Sequence, residues 1–183
     1  MLSTSTFLKT HSLVCSNTMI ISLTGFMGCG KSSVGRRLSE LLCCPFIDLD
    51  DAIVQKAGRS IPEIFAENGE AGFRKLELEA LTEVISTASE TLVLALGGGA
   101  IMTPECARLV KENTRCIYLR ATVDTLLEHL SGEADGRPML KGDELRTRIC
   151  ELMTQRSETY EKTAHVIIDT DGKSIDSIAS EII

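Results

Sequence analysis

The stretch from Gly25 to Ser33, GFMGCGKSS, places Gly25, Gly30, Lys31 and Ser32 at the spacing G-x-x-x-x-G-K-[ST]. Glycines there let successive backbone N–H groups turn toward an anion, and a helix opening near Lys31 adds the positive end of its dipole. The chemistry this serves is the binding of a nucleoside triphosphate. Gly28, Cys29, Gly30, Lys31, Ser32 and Ser33 are its candidate contacts. Lys31 reaches for the β and γ phosphates and the Ser32 hydroxyl ligates Mg²⁺. Cys29 stands inside the loop, where the dipole and Lys31 favour a thiolate, so its alkylation is expected to block nucleotide binding and nucleotide to protect it. The motif identifies a phosphoryl donor and leaves the acceptor open.

Acceptor chemistry is sought among the remaining unusual clusters. FIDLDDAI, residues 46–53, holds Asp48, Asp50 and Asp51 within four positions. Side chains two apart share a face of a strand, so Asp48 and Asp50 point one way as the strand runs out. Asp51 falls out of phase, in the first turn of a helix, where a negative charge is favourable on general grounds. The run Gly97-Gly98-Gly99 costs about 0.5–1 kcal/mol per residue against alanine in regular structure, which suggests that backbone there must approach a ligand. Arg74 and Glu77, three apart, share one helix face. His11, His129 and His165 make no cluster and no metal-ligand spacing, and His165, at a strand start, reads as a packed or edge residue.

The elements that must position these groups are legible as alternating patterns. Apolar runs at 19–25, 44–50, 91–97, 115–120 and 165–169 alternate with helical patterns. This predicts βαβ units and a parallel sheet covered on both faces. Ligands of such sheets gather at the carboxyl ends of the strands. Ser60 with Glu63 predicts a capping box, with Pro62 in the first turn and Gly69 as a stop; Thr103-Pro104-Glu105 is a second helix start. Phe73 to Ala88 reads as a helix with Leu76, Leu81 and Val84 turned inward. Residues 131–144, SGEADGRPMLKGDE, form the one long polar interruption, of the kind used as lids.

At 183 residues the chain is read as one domain, 19–183, behind an extension. Its net charge of −7 argues against a nucleic-acid or membrane-surface binder, and no apolar run approaches the length of a membrane span. Seven cysteines, with neither CxxC pairs nor an even disulfide frame, suggest a reducing, cytoplasmic setting. Residues 1–18 are rich in Ser and Thr. They lack the arginine of a transit peptide and the longer apolar stretch of a secretory signal, and are expected to be disordered and dispensable.

Taken together, GFMGCGKSSVGRRLS, FIDLDDAI, GRSIPEIFAENGEAGFRKLE, LALGGGAI, GRPML and LMTQRSETY resemble the shikimate kinases in order and in spacing, over nearly everything from Met19 onward. The resemblance implies a single P-loop kinase domain, with a five-stranded parallel sheet, helices on both faces and a mobile lid. It implies transfer of the ATP γ-phosphoryl group to the 3-hydroxyl of shikimate, with Mg²⁺, by a monomer. Carried over, it associates Asp48 with Mg²⁺ and Asp50 with the acceptor hydroxyl as the candidate base. It assigns Arg74 and Arg156 to the shikimate carboxylate, where bidentate guanidinium geometry is suited. Gly98 and Gly99 stand at the substrate, with Phe65, Phe73 and Glu77 supporting the pocket. Arg137, before Pro138, becomes the lid arginine that stabilises the transferring group.

The chain departs from the family at TLLEHLSGE. Leu127, Glu128 and His129 stand where many members carry a basic residue near the adenine. Lys173, in DTDGKSI, is the remaining candidate on that side, and a reduced preference for adenine is expected. A sugar-acid or nucleotide kinase would share the P-loop and lid but fits two carboxylate-directed arginines less well. A catalytically dead relative would have lost Lys31, Asp50 or Arg137, and all three are present.

Overall fold

The computed structural model describes residues 18–132 and 142–183, and in it the period-two apolar runs form five strands. These are β1 (Ile20–Thr24), β2 (Phe46–Asp48), β3 (Leu92–Ala95), β4 (Arg115–Arg120) and β5 (Val166–Asp169). All pair in parallel, in the order β2-β3-β1-β4-β5. Among the described residues the helices are α1 (Lys31–Leu42), α2 (Leu49–Ala57), α3 (Ile61–Thr87), α4 (Pro104–Asn113), α5 (Val123–Gly132), α6 (Gly142–Thr163) and α7 (Ile175–Ile182).

Strand alternation divides the core between the two faces. Ile20, Leu92, Leu94 and Tyr118 pack with Ile53, Phe73, Leu81 and Val110, while Ile21, Leu23, Val93 and Ile117 pack with Val34, Leu38, Leu126 and Ile178. Each fully buried leucine or isoleucine contributes about 1.5–3 kcal/mol relative to exposure. The central strand β1 is buried along its whole length. It lies between β3 and β4, so the chain leaving it enters the crevice where connections depart in opposite directions, the general ligand position in such sheets.

Local signals behave as expected at several ends. Ser60 and Glu63 form the capping box, with the Ser60 N–H donating to Glu63 Oε2 at 2.8 Å. Three expectations change. The second strand stops at Asp48, which becomes the N-cap of α2, so Asp50 lies in the first helical turn and not on a strand face with Asp48. The reason is a cap: Asp48 Oδ1 accepts the Asp50 N–H at 3.1 Å, which turns the chain two residues early. Gly69 bends α3 instead of ending it, through φ 65 and ψ −174, and the helix resumes before Phe73. The ends of the expected 131–144 loop are helical, while residues 133–141, including Arg137, lie outside the described residues, as do residues 1–17.

Candidate active site

The phosphate loop joins β1 to α1. Its turn uses Gly28 at φ 79 and Gly30 at φ 90, left-handed values that favour glycine, and Gly30 is the N-cap of α1. Lys31 is buried and donates to Gly25 O at 3.0 Å and Phe26 O at 2.8 Å, so its ammonium lies across the loop. Ser32 Oγ donates to Asp48 Oδ2 at 2.7 Å, bringing the two oxygens expected at the metal into contact. A cavity of about 630 Å³ opens beside this loop, lined by Gly28 to Val34 and walled by Thr125, Glu128 and His129 of α5 and by Thr170, Gly172 and Lys173. Lys173 therefore reaches the cavity where expected, paired with Glu181 at 2.5 Å.

Cys29 is more buried than its place in the loop suggested. Its side chain is 3% exposed and packs with Phe26, Val34 and Leu126 in the core. The thiol is buried, with the Lys31 ammonium 3.9 Å from its Sγ.

The second lobe assembles around the glycine run after β3. A Cβ on Gly97 would lie 2.9 Å from Asp50 Oδ1 and 3.4 Å from Glu77 Oε1. One on Gly99 would lie 2.9 Å from Arg74 Nη2, and one on Gly98 would lie 3.2 Å from Met27 N. What the glycines visibly accommodate is thus the site's own side chains and the phosphate loop, where the sequence suggested a ligand. Arg74 donates to Glu77 Oε2 at 2.8 Å and its guanidinium lies 5.4 Å from the Phe73 ring centre. Phe73 is buried and stacks at 4.6 Å on Phe65, which is exposed.

Electrostatics here are shaped by burial. Burial raises Asp50 above the ordinary carboxylate value, reinforced by Asp48 and Asp51 and opposed by Lys31 and Arg74. Glu77, 1% exposed, is also pushed up by burial, against the pull of Arg74. Burial works against the Arg74 cation, but its bonds to Glu77 and Glu70 outweigh this and hold it above its ordinary value. The arginine therefore keeps its charge with donors to spare.

Arg156, on α6, donates to Gly98 O at 3.3 Å and stands 5.9 Å from the Phe26 ring centre. One turn later, Tyr160 donates its hydroxyl to the same carbonyl. Burial pushes the Tyr160 phenol up to about 12, so it remains a donor, and its ring stacks on Tyr118 at 5.1 Å. Sequence reading passed over Tyr160, although its four-residue spacing from Arg156 puts both on one helix face. It also set His129 aside, whose Nδ1 lies 2.7 Å from Gly28 O. No local pattern marks that pairing. His165 is an exposed edge residue whose Nδ1 accepts the Cys116 N–H at 3.0 Å.

Phe65, Phe73, Arg74, Glu77, Asp50, Gly98, Gly99 and Arg156 thus gather around one lobe, and Gly28 to Ser33 and Lys173 around the other. Comparison with known proteins points to one family. A family model described as shikimate kinase matches residues 27–183. A shikimate kinase of Dictyoglomus turgidum is 40% identical over 165 residues, covering 89% of this chain and 94% of its own length. One of Salinibacter ruber is 42% identical over 173 residues, covering 90% and 83%. A solved shikimate kinase from Acinetobacter baumannii, in complex with shikimate, superposes with a TM-score of 0.82 at 35% identity over 91% of this chain and 92% of that one.

Proposed function

The chain belongs to the shikimate kinase family, and on that premise we propose how its own residues divide the reaction. That reaction transfers the γ-phosphoryl group of ATP to the 3-hydroxyl of shikimate, giving shikimate 3-phosphate and ADP in the route to chorismate and the aromatic amino acids. The observation that carries the division is the place of Asp50. It lies in the fields of both Lys31 on the donor side and Arg74 on the acceptor side, against Gly97.

The amides of Gly28 to Ser33 and the Lys31 ammonium hold the phosphates, and Lys173 stands on the base side. Arg74 and Arg156 grip the shikimate carboxylate, since two guanidinium forks suit a planar anion. Glu77 keeps Arg74 in position, Phe73 and Phe65 form the apolar wall, and Gly98 and Gly99 allow close approach. Asp50 accepts the hydrogen bond of the 3-hydroxyl and aims its oxygen in line. A loose transition state requires little early deprotonation, so orientation is its main contribution. Arg137, outside the described residues, is proposed to stabilise the transferring group.

Ser32 Oγ and Asp48 Oδ2, 2.7 Å apart, are the hard oxygen donors that Mg²⁺ takes beside nucleotide phosphates, so the residues fit the ion. Bound there, Mg²⁺ would neutralise charge on the β and γ phosphates. The remaining readings are a monomer and a cytoplasmic location. The exposed large apolar side chains are scattered over separate elements, and the six described cysteines are all free. No helix among the described residues is long and apolar enough to cross a membrane.

A coupled ADP-release assay offering shikimate, quinate, gluconate and nucleoside monophosphates tests the reading. Turnover with shikimate alone, lost on chelation of Mg²⁺, is the expected result. Protein that binds ATP yet leaves shikimate untouched would defeat it. Light scattering at two concentrations checks the monomer, and cell fractionation checks the location.

A further inference from the structure

We propose that His129 is a positioning residue of the nucleotide site: its imidazole holds the Gly28 carbonyl and thereby aims the 28–29 peptide of the phosphate loop. This rests on the nucleotide-site reading above and extends it to a residue on α5. His129 Nδ1 lies 2.7 Å from Gly28 O across 101 residues of sequence. A carbonyl oxygen only accepts, so Nδ1 carries the hydrogen, in the neutral ring as in the charged one.

The peptide between Gly28 and Cys29 is planar and trans, as every described peptide is. Its C=O and N–H therefore point in opposite directions, and fixing one directs the other. Gly28, at φ 79, is also one of the loop's glycines, where the backbone has wide torsional choice. Within the loop the Cys29 N–H donates to Phe26 O at 3.3 Å, a long bond, so the two contacts together fix the plane of this peptide and with it the curve of the loop. The bond from His129 is the shorter restraint on this peptide. Phosphate affinity at such a loop depends on N–H groups already directed at the anion.

The rest of α5 is built to deliver the contact. Leu130, the next residue, would lie 3.1 Å from a Cβ on Gly28, so two successive side chains close on the same glycine. Leu126 anchors α5 in the core. The chain entering it is tied to the opposite cavity wall, where Asp171 Oδ1 accepts the Thr122 N–H at 3.0 Å and the Thr122 hydroxyl at 3.1 Å. His129 itself lines the cavity with Gly28 to Val34.

The test compares His129→Leu with His129→Asn. The amide nitrogen of asparagine takes the place of Nδ1 and donates; leucine offers no donor. ATP is titrated at saturating shikimate, shikimate at saturating ATP, and ADP binding is read by calorimetry with the melting temperature of each free protein. In the leucine variant the KM for ATP and the Kd for ADP rise about three- to tenfold, as fits one solvent-exposed hydrogen bond. Shikimate KM and melting temperature hold, and the asparagine variant stays near wild type. The proposal is overturned if the leucine variant binds ADP as wild type does, if both variants weaken equally, or if shikimate KM and melting temperature move with ATP KM. Because ADP binding needs no acceptor, failure of the shikimate reading would show separately, as absent turnover in wild type.

Discussion

At the scale of single residues, the acids of FIDLDDAI differ by what each oxygen touches. Asp48 uses Oδ1 to cap α2 and Oδ2 to meet Ser32, Asp50 is half-buried against Gly97, and Asp51 is exposed. Asp50→Asn should lower kcat by up to about 100-fold, as loss of the group that orients the reacting hydroxyl does. Asp51→Asn should stay within about twofold, and Asp48→Asn should keep the melting temperature, since asparagine also caps, while requiring more Mg²⁺. Steady-state kinetics over a magnesium series, with thermal melts, separates the three. Glu77 offers a pH test. Its folded-state pKa lies above the ordinary 4.5 because of burial, so in the window just above 4.5 the folded protein binds more protons than the unfolded chain. The contribution of Glu77 to stability therefore falls as pH rises through that window. Glu77→Gln, which keeps an oxygen for Arg74, should flatten this part of the stability curve measured by denaturant titration.

At the scale of elements, two glycine features set the acceptor lobe. An unbroken helix would separate Phe65 from Phe73 by about 12 Å of rise, yet their ring centres are 4.6 Å apart across the bend at Gly69. The second feature is the loop after β3, pressed between α2, α3 and the phosphate loop and held by two donors from α6 to the Gly98 carbonyl. Gly97→Ala places a methyl 2.9 Å from Asp50 Oδ1 and must displace that carboxylate. A displacement approaching 1 Å costs on the order of 100-fold in rate, so kcat/KM for shikimate should fall by about 10- to 100-fold while ATP KM is retained. Equal losses for both substrates would place the damage in the fold and not in the acceptor lobe.

At the scale of the whole molecule, both lobes hang from the carboxyl ends of β1, β2 and β3, the donor side closed by α5 and the segment after β5. Each ligand should therefore stabilise the same frame through different residues. ADP at 100 times its Kd adds about 2.7 kcal/mol, which raises the melting temperature by about 5–10 °C in a domain of this size. Thermal melts should show Lys31→Ala losing most of the ADP shift and keeping that of shikimate, and Arg74→Ala doing the reverse. Much of this was legible in the sequence. The G-x-x-x-x-G-K-S spacing, the strand runs, the Ser60 box and the Thr103-Pro104 start each depend on groups within a turn or two of one another. So do the helical charges at Arg74 and Glu77. The order of six linked blocks carried the family as well. Only the tertiary structure decided that the Cys29 thiol is buried in the core, that the glycine run makes room for Asp50 and Arg74, and that His129 meets Gly28. Those outcomes depend on which surfaces pack together across roughly 25 to 100 residues, and backbone periodicity carries no record of a partner that distant.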